Sequence, residues 1–127
     1  MNIIRSIVST LAVIVTTTAI SAENKITYPA DYQSMYTNYL SLDRTQNADQ
    51  TIRLFANDVA IQGPGDDGKL PYGSVIVAEI YKAKKDSDGN VITSSLGRRL
   101  RGDLALIAVM QREEGWGEQY PEGVRNG

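Results

Sequence analysis

The chain contains no cysteine and no histidine among its 127 residues. The first absence excludes disulfides, thiolate nucleophiles and cysteine-based zinc sites. The second excludes a Ser-His-Asp triad, a histidine general base and imidazole ligation of a metal. Positive charge is also scarce: 13 Lys and Arg stand against 15 Asp and Glu, a net charge of -2. A pI near 5.1 argues against a nucleic-acid-binding protein, which would carry a basic patch or stripe. Beyond residue 22 no run is apolar enough to span a membrane, which takes about 20 apolar residues.

The amino terminus carries a processing pattern. Arg5 is the one charge before Ile7 to Ile20, a run broken only by Ser and Thr. It ends in Ile20-Ser21-Ala22 before Glu23. A basic start, an apolar stretch and a small-residue cleavage site are the features of a secretory signal peptide. The alternatives are an uncleaved anchor or a buried helix. Cleavage after residue 22 leaves 23–127 as one domain, expected in the periplasm or secreted, and the lack of Cys suits export without disulfides.

Asp31 is placed to cap a short helix, and Tyr32, Met35, Tyr36 and Tyr39 recur at helical spacing on one face. That stripe reads as core with hydroxyls at its rim, or as the lining of a ligand pocket; Tyr39, Leu40 and Leu42 may be read instead as the start of a strand. Thr51 to Phe55 alternates as a strand, and Asn57-Asp58 offers a cap for a helical turn through Ile61. Gly63 to Gly68 is a loop whose Asp66 and Asp67 read as a solvated turn or a cation site. Ser74 to Lys84 is the clearest strand, with Ile76, Ala78 and Ile80 on one face and Val75, Val77, Glu79 and Tyr81 on the other. Glu79, a carboxylate among apolar neighbours, is a structural hydrogen-bonded group or a tuned acid.

Asp86, Asp88 and Asn90 resemble the start of a calcium loop. Gly89 and Gly97 stand at the wrong positions for one, so the segment reads as a turn. Arg98, Arg99 and Arg101 form a basic cluster, solvated or facing an anion. Leu104 to Met110 is expected to be a buried strand, followed by a Gly115-Trp116-Gly117 loop around the only Trp. The chain is expected to stop within a hairpin, because Asn126-Gly127 usually connects two strands. The pattern predicts an α+β domain: an antiparallel sheet with a few short helices.

Three segments, in this order, resemble the cytochrome P-460 family of exported bacterial haem proteins. They are Arg53 to Ala60, an Arg-plus-apolar run into Asn-Asp; Leu70 to Tyr81, a Pro-x-Gly turn feeding a central strand; and Val109 to Pro121, a strand into Gly-Trp-Gly, ending Arg125-Asn126-Gly127. The likeness covers essentially all of residues 28–127. It implies a mostly antiparallel sheet with a few short helices, lacking its C-terminal strands. Family members hold haem c through a C-terminal C-x-x-C-H, and these 127 residues contain no such attachment site. Hydroxylamine-oxidising members cross-link a strand Lys to the haem, a position that aligns with Ala78, or with its neighbour Glu79; neither forms that bond. The likeness places Arg44, Ala78, Tyr81 and Trp116 nearest the cofactor.

The resemblance thus implies a periplasmic haem protein that binds or redox-processes a small nitrogen-containing ligand, nitric oxide or hydroxylamine in class, with a redox partner for electron transfer. An open sheet edge near Leu104 to Met110 would invite aggregation or pairing with a second chain, and residues 23–127 alone are expected to be poorly soluble or partly unfolded. The alternative is a haem-free periplasmic binding module of the same fold. A third reading, a hydrolase, would pair Glu79 with Glu113 or Glu114.

Overall fold

A computed structural model of the chain describes residues 25–124; the expected signal peptide and the terminal Asn-Gly lie outside the described residues. The elements run α1 (Tyr32–Met35), β1 (Thr37–Asp43), β2 (Gln50–Ala56), α2 (Asp58–Ile61), β3 (Ser74–Ala83) and β4 (Arg101–Arg112), then a 3-10 turn at Glu122–Val124. The strands form one sheet in chain order, each antiparallel to the next. This is the expected α+β architecture, with α2 inserted between strands.

Each connection has a local cause. Asn57 ends β2 by capping α2: its Oδ1 accepts from Ala60 N at 3.0 Å and from Val75 N at 3.1 Å, while its Nδ2 donates to Gly73 O at 2.9 Å. One side chain thereby ties the helix start to the start of β3. Asp86 builds the turn after β3, accepting at Oδ1 from the backbone N–H of Asp88 and Asn90, each at 2.9 Å. That is an Asx turn, and no calcium loop is needed to explain the residues. Asp67 organises its loop similarly by accepting from Lys69 N at 2.9 Å. Among the described residues no cluster of three or more Asp and Glu side chains converges to hold a metal ion.

Strand register sorts the side chains into two unlike faces. On the first, Leu40, Leu54, Ala78 and Ala108 lie across one row, Leu42, Ile52, Ile80 and Leu106 across the next, and Ala56, Ile76 and Met110 across a third. Every one of these is apolar. The second face carries Asn38, Phe55, Val77 and Val109 in one row, then Ser41, Arg53, Glu79 and Ile107 in another. Helix α1 covers this second face, where Tyr32, Phe55 and Val77 form the core with Tyr36, Ile107 and Val109 against it. The Tyr32 and Phe55 rings meet edge to face with centroids 5.2 Å apart.

Two expectations need correction. The tyrosine stripe is not one helical face. Helix α1 ends at Met35, Tyr32 is buried while Met35 is exposed, and Tyr39 sits in β1 at a register shift between Asn38 and Leu40. Leu104 to Met110 does form a strand, but it is an edge strand and not a buried one: Leu106 is 48% and Met110 51% exposed. Its inward residues, Ile107 and Val109, join the core, whereas Leu106 and Met110 belong to the face without a covering helix at that edge.

Gly102 marks a close approach of β4 to the end of β3. A Cβ built there would lie 2.7 Å from the Lys82 carbonyl oxygen, nearer than van der Waals contact allows. Replacing Gly102 by Ala is therefore expected to destabilise the domain by about 1–3 kcal/mol, read as a lower urea midpoint, because backbone must shift to admit the methyl. An unchanged midpoint would show that the strands separate freely there.

Candidate functional site

Glu79 is the most buried charged residue, 0% exposed, at the centre of the second face. Its Oε1 accepts from Tyr32 Oη at 2.6 Å and Gln33 Nε2 at 2.8 Å; its Oε2 accepts from Tyr81 Oη at 2.6 Å. Arg53 Nε stands 3.6 Å from Oε2. Burial pushes the carboxyl up, but the hydrogen bonds from Tyr32, Tyr81 and Gln33, with the Arg53 charge, outweigh it and hold Glu79 below its ordinary range. Burial and the Glu79 anion push both tyrosines up. Glu79 is thus a satisfied, ionised structural group. It is a poor general acid near neutral pH, because it holds no proton there to give.

The hydrolase reading also lacks a partner carboxylate. Glu113 follows β4 and accepts from Gln111 Nε2 at 3.0 Å. Glu79 pairs with Ile107, so Glu113 lies about 20 Å further along at the rise of a strand. Glycosidase carboxylates stand no more than about 9.5 Å apart.

The apolar face offers the other candidate. Ala78 and Ala108 are cross-strand neighbours in its middle row, and these two small side chains make a low floor beside Leu54, Ile80 and Leu106. Leu40, Leu106 and Met110 are exposed at its margins. At one end, α2 and the loop before β3 frame an apolar recess of about 400 Å³ lined by Tyr39, Ala56, Ala60, Ile61, Leu70 and Ile76. Ala56, Ala78 and Ile80 are buried between these margins, so the exposed part of the face is the set Leu40, Leu106 and Met110, and exposed apolar residues grouped on one side of a sheet mark a place where a ligand or another surface binds.

The four residues singled out in the sequence do not converge. Ala78 lies at the centre of the apolar face. Arg44 follows β1 and pairs through its backbone with Gln50, placing it at the polar end of the same face, where its Nη1 donates to Gln50 Oε1. Tyr81 lies on the opposite face, as its bond to Glu79 requires. Trp116 sits half-buried in the turns after β4, its backbone N–H bonded to Glu113 O at 3.3 Å. Period-two alternation already separates residues 78 and 81, since three steps along a strand change faces.

Tyr32 and Gln33 stand 47 and 46 residues from Glu79 in the chain, and spacing alone does not mark them as its partners. Their one sequence signal was a Tyr in the first turn of a short helix; Asp31, expected to cap that helix, makes no side-chain capping hydrogen bond, and only its backbone carbonyl accepts from Ser34 and Met35 N–H. Among the described residues no helix is long and apolar enough to cross a membrane.

No curated protein matches the chain. The sequence model of the cytochrome P-460 family matches residues 29–123, which spans every described strand and both short helices. The match therefore covers the apolar face, the Glu79 cluster and the turns carrying Trp116 alike: the chain belongs to the cytochrome P-460 family of haem proteins.

Proposed function

We propose that the chain provides the cofactor-contacting sheet of an exported haem protein that binds or redox-processes a small nitrogen-containing ligand, of the nitric oxide or hydroxylamine class. The observation that carries this reading is the sheet face whose middle rows are apolar, with Ala78 and Ala108 at its centre and polar residues, Thr37 among them, only at its ends. A flat macrocycle needs a flat apolar bed, and two adjacent alanines supply one without side chains standing in the way. Arg44, at the polar end, supplies a cation for the carboxylate edge of the group. In this arrangement Tyr81 faces away from the macrocycle.

The face fits the body of a haem. These 127 residues hold neither His nor Cys, so they supply no imidazole for its iron and no thiol for its vinyl groups. No bond to iron is therefore assigned to this chain. When bound, haem supplies the redox and ligand-binding chemistry. The chain's own residues exclude water from one side of the group and set its local polarity. Ala78 carries no amine, so this position makes no cross-link, which favours ligand binding or electron transfer over hydroxylamine oxidation. A redox partner then exchanges electrons with the group. The unpaired outer edge of β4 admits a second copy of the chain.

The natural gene, expressed with c-type haem maturation machinery, is expected to give a coloured exported product whose Soret band shifts on adding nitric oxide. A colourless product would overturn the haem reading. It would favour a haem-free binding module, the reading that the lack of His and Cys supports.

A further inference from the structure

The face opposite the apolar surface carries a second, unrelated feature. A cleft of about 120 Å³ lies between the end of β1 and β2 and the arm that precedes β4, and its lining includes Asp43, Thr51, Arg53, Arg98, Arg99 and Arg101. Four arginine residues from three parts of the chain thus border one small space. We propose that this cleft binds a small inorganic oxyanion of the phosphate or sulfate class.

Thr51 gives the cleft a built interior. It is 7% exposed, and its Oγ1 is buried with no hydrogen-bond partner. An unpaired buried hydroxyl is destabilising, so natural structures seldom leave one without a reason. Once the cleft wall shifts to admit an anion, that hydroxyl donates its proton to an oxygen.

The charges around it are unbalanced. Arg98 Nε stands 3.7 Å from Asp43 Oδ2, and Arg53 Nε stands 3.6 Å from Glu79 Oε2. Both separations exceed the roughly 2.7–2.9 Å of a well-formed charge-assisted hydrogen bond. Asp43 is thus the one carboxylate lining the cleft beside four arginines; it also accepts from Arg99 N at 3.2 and 3.3 Å, and Arg98 Nη2 donates to Ser41 O at 3.1 Å.

Arg101 makes no ion pair with a described residue; its guanidinium lies 4.9 Å from the centroid of the Tyr81 ring. Stacking fixes the plane of the group and leaves its N–H edge available for a bidentate oxyanion contact. Arg99 has a different task. Its Nη1 donates to the carbonyls of Arg44, Asn47 and Gln50 at 3.0, 3.0 and 2.9 Å, which pins the arm to the β1–β2 turn and so sets the cleft's shape. Arg99 is a positioning residue.

Size decides the ligand class. Pockets for drug-sized molecules run to about 300–1,000 Å³. A cleft of about 120 Å³ suits an inorganic ion and is too small to enclose a nucleotide. The proposal is independent of the haem reading, because Thr51, Arg53 and the Tyr81-stacked Arg101 belong to the side of the sheet opposite Ala78, although Leu42 and Ile52 of the apolar face also border the cleft.

Calorimetric titration of the full chain with sodium phosphate, and separately with sodium sulfate, tests this at ionic strength held constant with chloride. Saturable one-site binding of at least one of the two ions is expected. Arg101→Gln should weaken it at least about tenfold, the effect of losing hydrogen bonds to a charged group. Thr51→Val should also weaken binding, yet leave the melting temperature in anion-free buffer unchanged or raised, because it removes the unpaired hydroxyl and keeps the shape. A purely structural threonine would lower that temperature and leave affinity alone. No saturable binding by either ion, or an affinity that both variants leave unchanged, would overturn the proposal.

Discussion

Glu79→Ala is expected to destabilise the domain by about 3–5 kcal/mol, the cost of breaking a buried charged network by removing one partner. The substitution strands the Tyr32 and Tyr81 hydroxyls, the Gln33 amide and the Arg53 guanidinium, all of which now meet at one carboxylate. It also opens a cavity beneath α1, since Tyr32 is held to the sheet by that carboxylate as well as by Phe55. A domain of this size has a total stability of about 5–15 kcal/mol, so the loss takes a large share of it. Glu79→Gln keeps the volume and one acceptor and should lose less, about 1–3 kcal/mol.

The same network sets the pH window. The folded state holds the Glu79 carboxyl below its ordinary value of 4.5, so the unfolded chain takes up this proton first as pH falls. The stability it contributes is complete above that value and is lost as pH drops through the lower folded one. Tyr32 and Tyr81 move the opposite way, upward from 10.0, through burial and then through Glu79. Above pH 10 the unfolded chain loses phenolic protons that the folded chain keeps, and stability falls as pH rises. Urea midpoints measured across pH should give a plateau between these limbs. In Glu79→Gln the acid limb should shrink. A wild-type acid limb retained in full by that variant would show that other carboxylates set it.

The second large effect is an asymmetry between the two faces. Phe55→Ala should lose about 3–5 kcal/mol. Its ring is 3% exposed, packs on Tyr32 and carries the Arg53 guanidinium 4.9 Å above it. Leu106→Ala should lose only about 1 kcal/mol, because it removes a smaller group and Leu106 is already half in water. Equal losses at the two positions, compared by urea midpoint, would mean that the apolar face is a second core and not an open surface.

Much of the fold was legible because the patterns were local. Strand β3 alternates cleanly from Ser74 to Tyr81, and Asn57 announces α2 by chemistry that any capping residue shares. Leu104 to Met110 misled for a physical reason. An unbroken apolar run is what a fully buried strand needs, and also what an edge strand needs when one side builds the core and the other awaits a ligand. The register shift at Tyr39 has no sequence signature, and with it goes the true position of the tyrosine stripe. The family likeness placed Ala78 and Tyr81 together, whereas the strand period puts them on opposite faces. The partners of Glu79 and the anchoring of Arg99 on three carbonyls depend on contacts across some 46 to 55 residues, which spacing alone does not encode.

The central claim is that a haem lies on the Ala78 side of the sheet. Adding Fe(III) protoporphyrin IX to methyl-labelled chain, followed by NMR, tests it directly, because the paramagnetic iron broadens nearby methyl signals. Adjacent residues of one strand report on opposite faces. The account predicts broadening of the Ala78 and Ala108 methyls with those of Val77 and Val109 spared. Broadening centred on Val77 and Val109, or none at all, would contradict it.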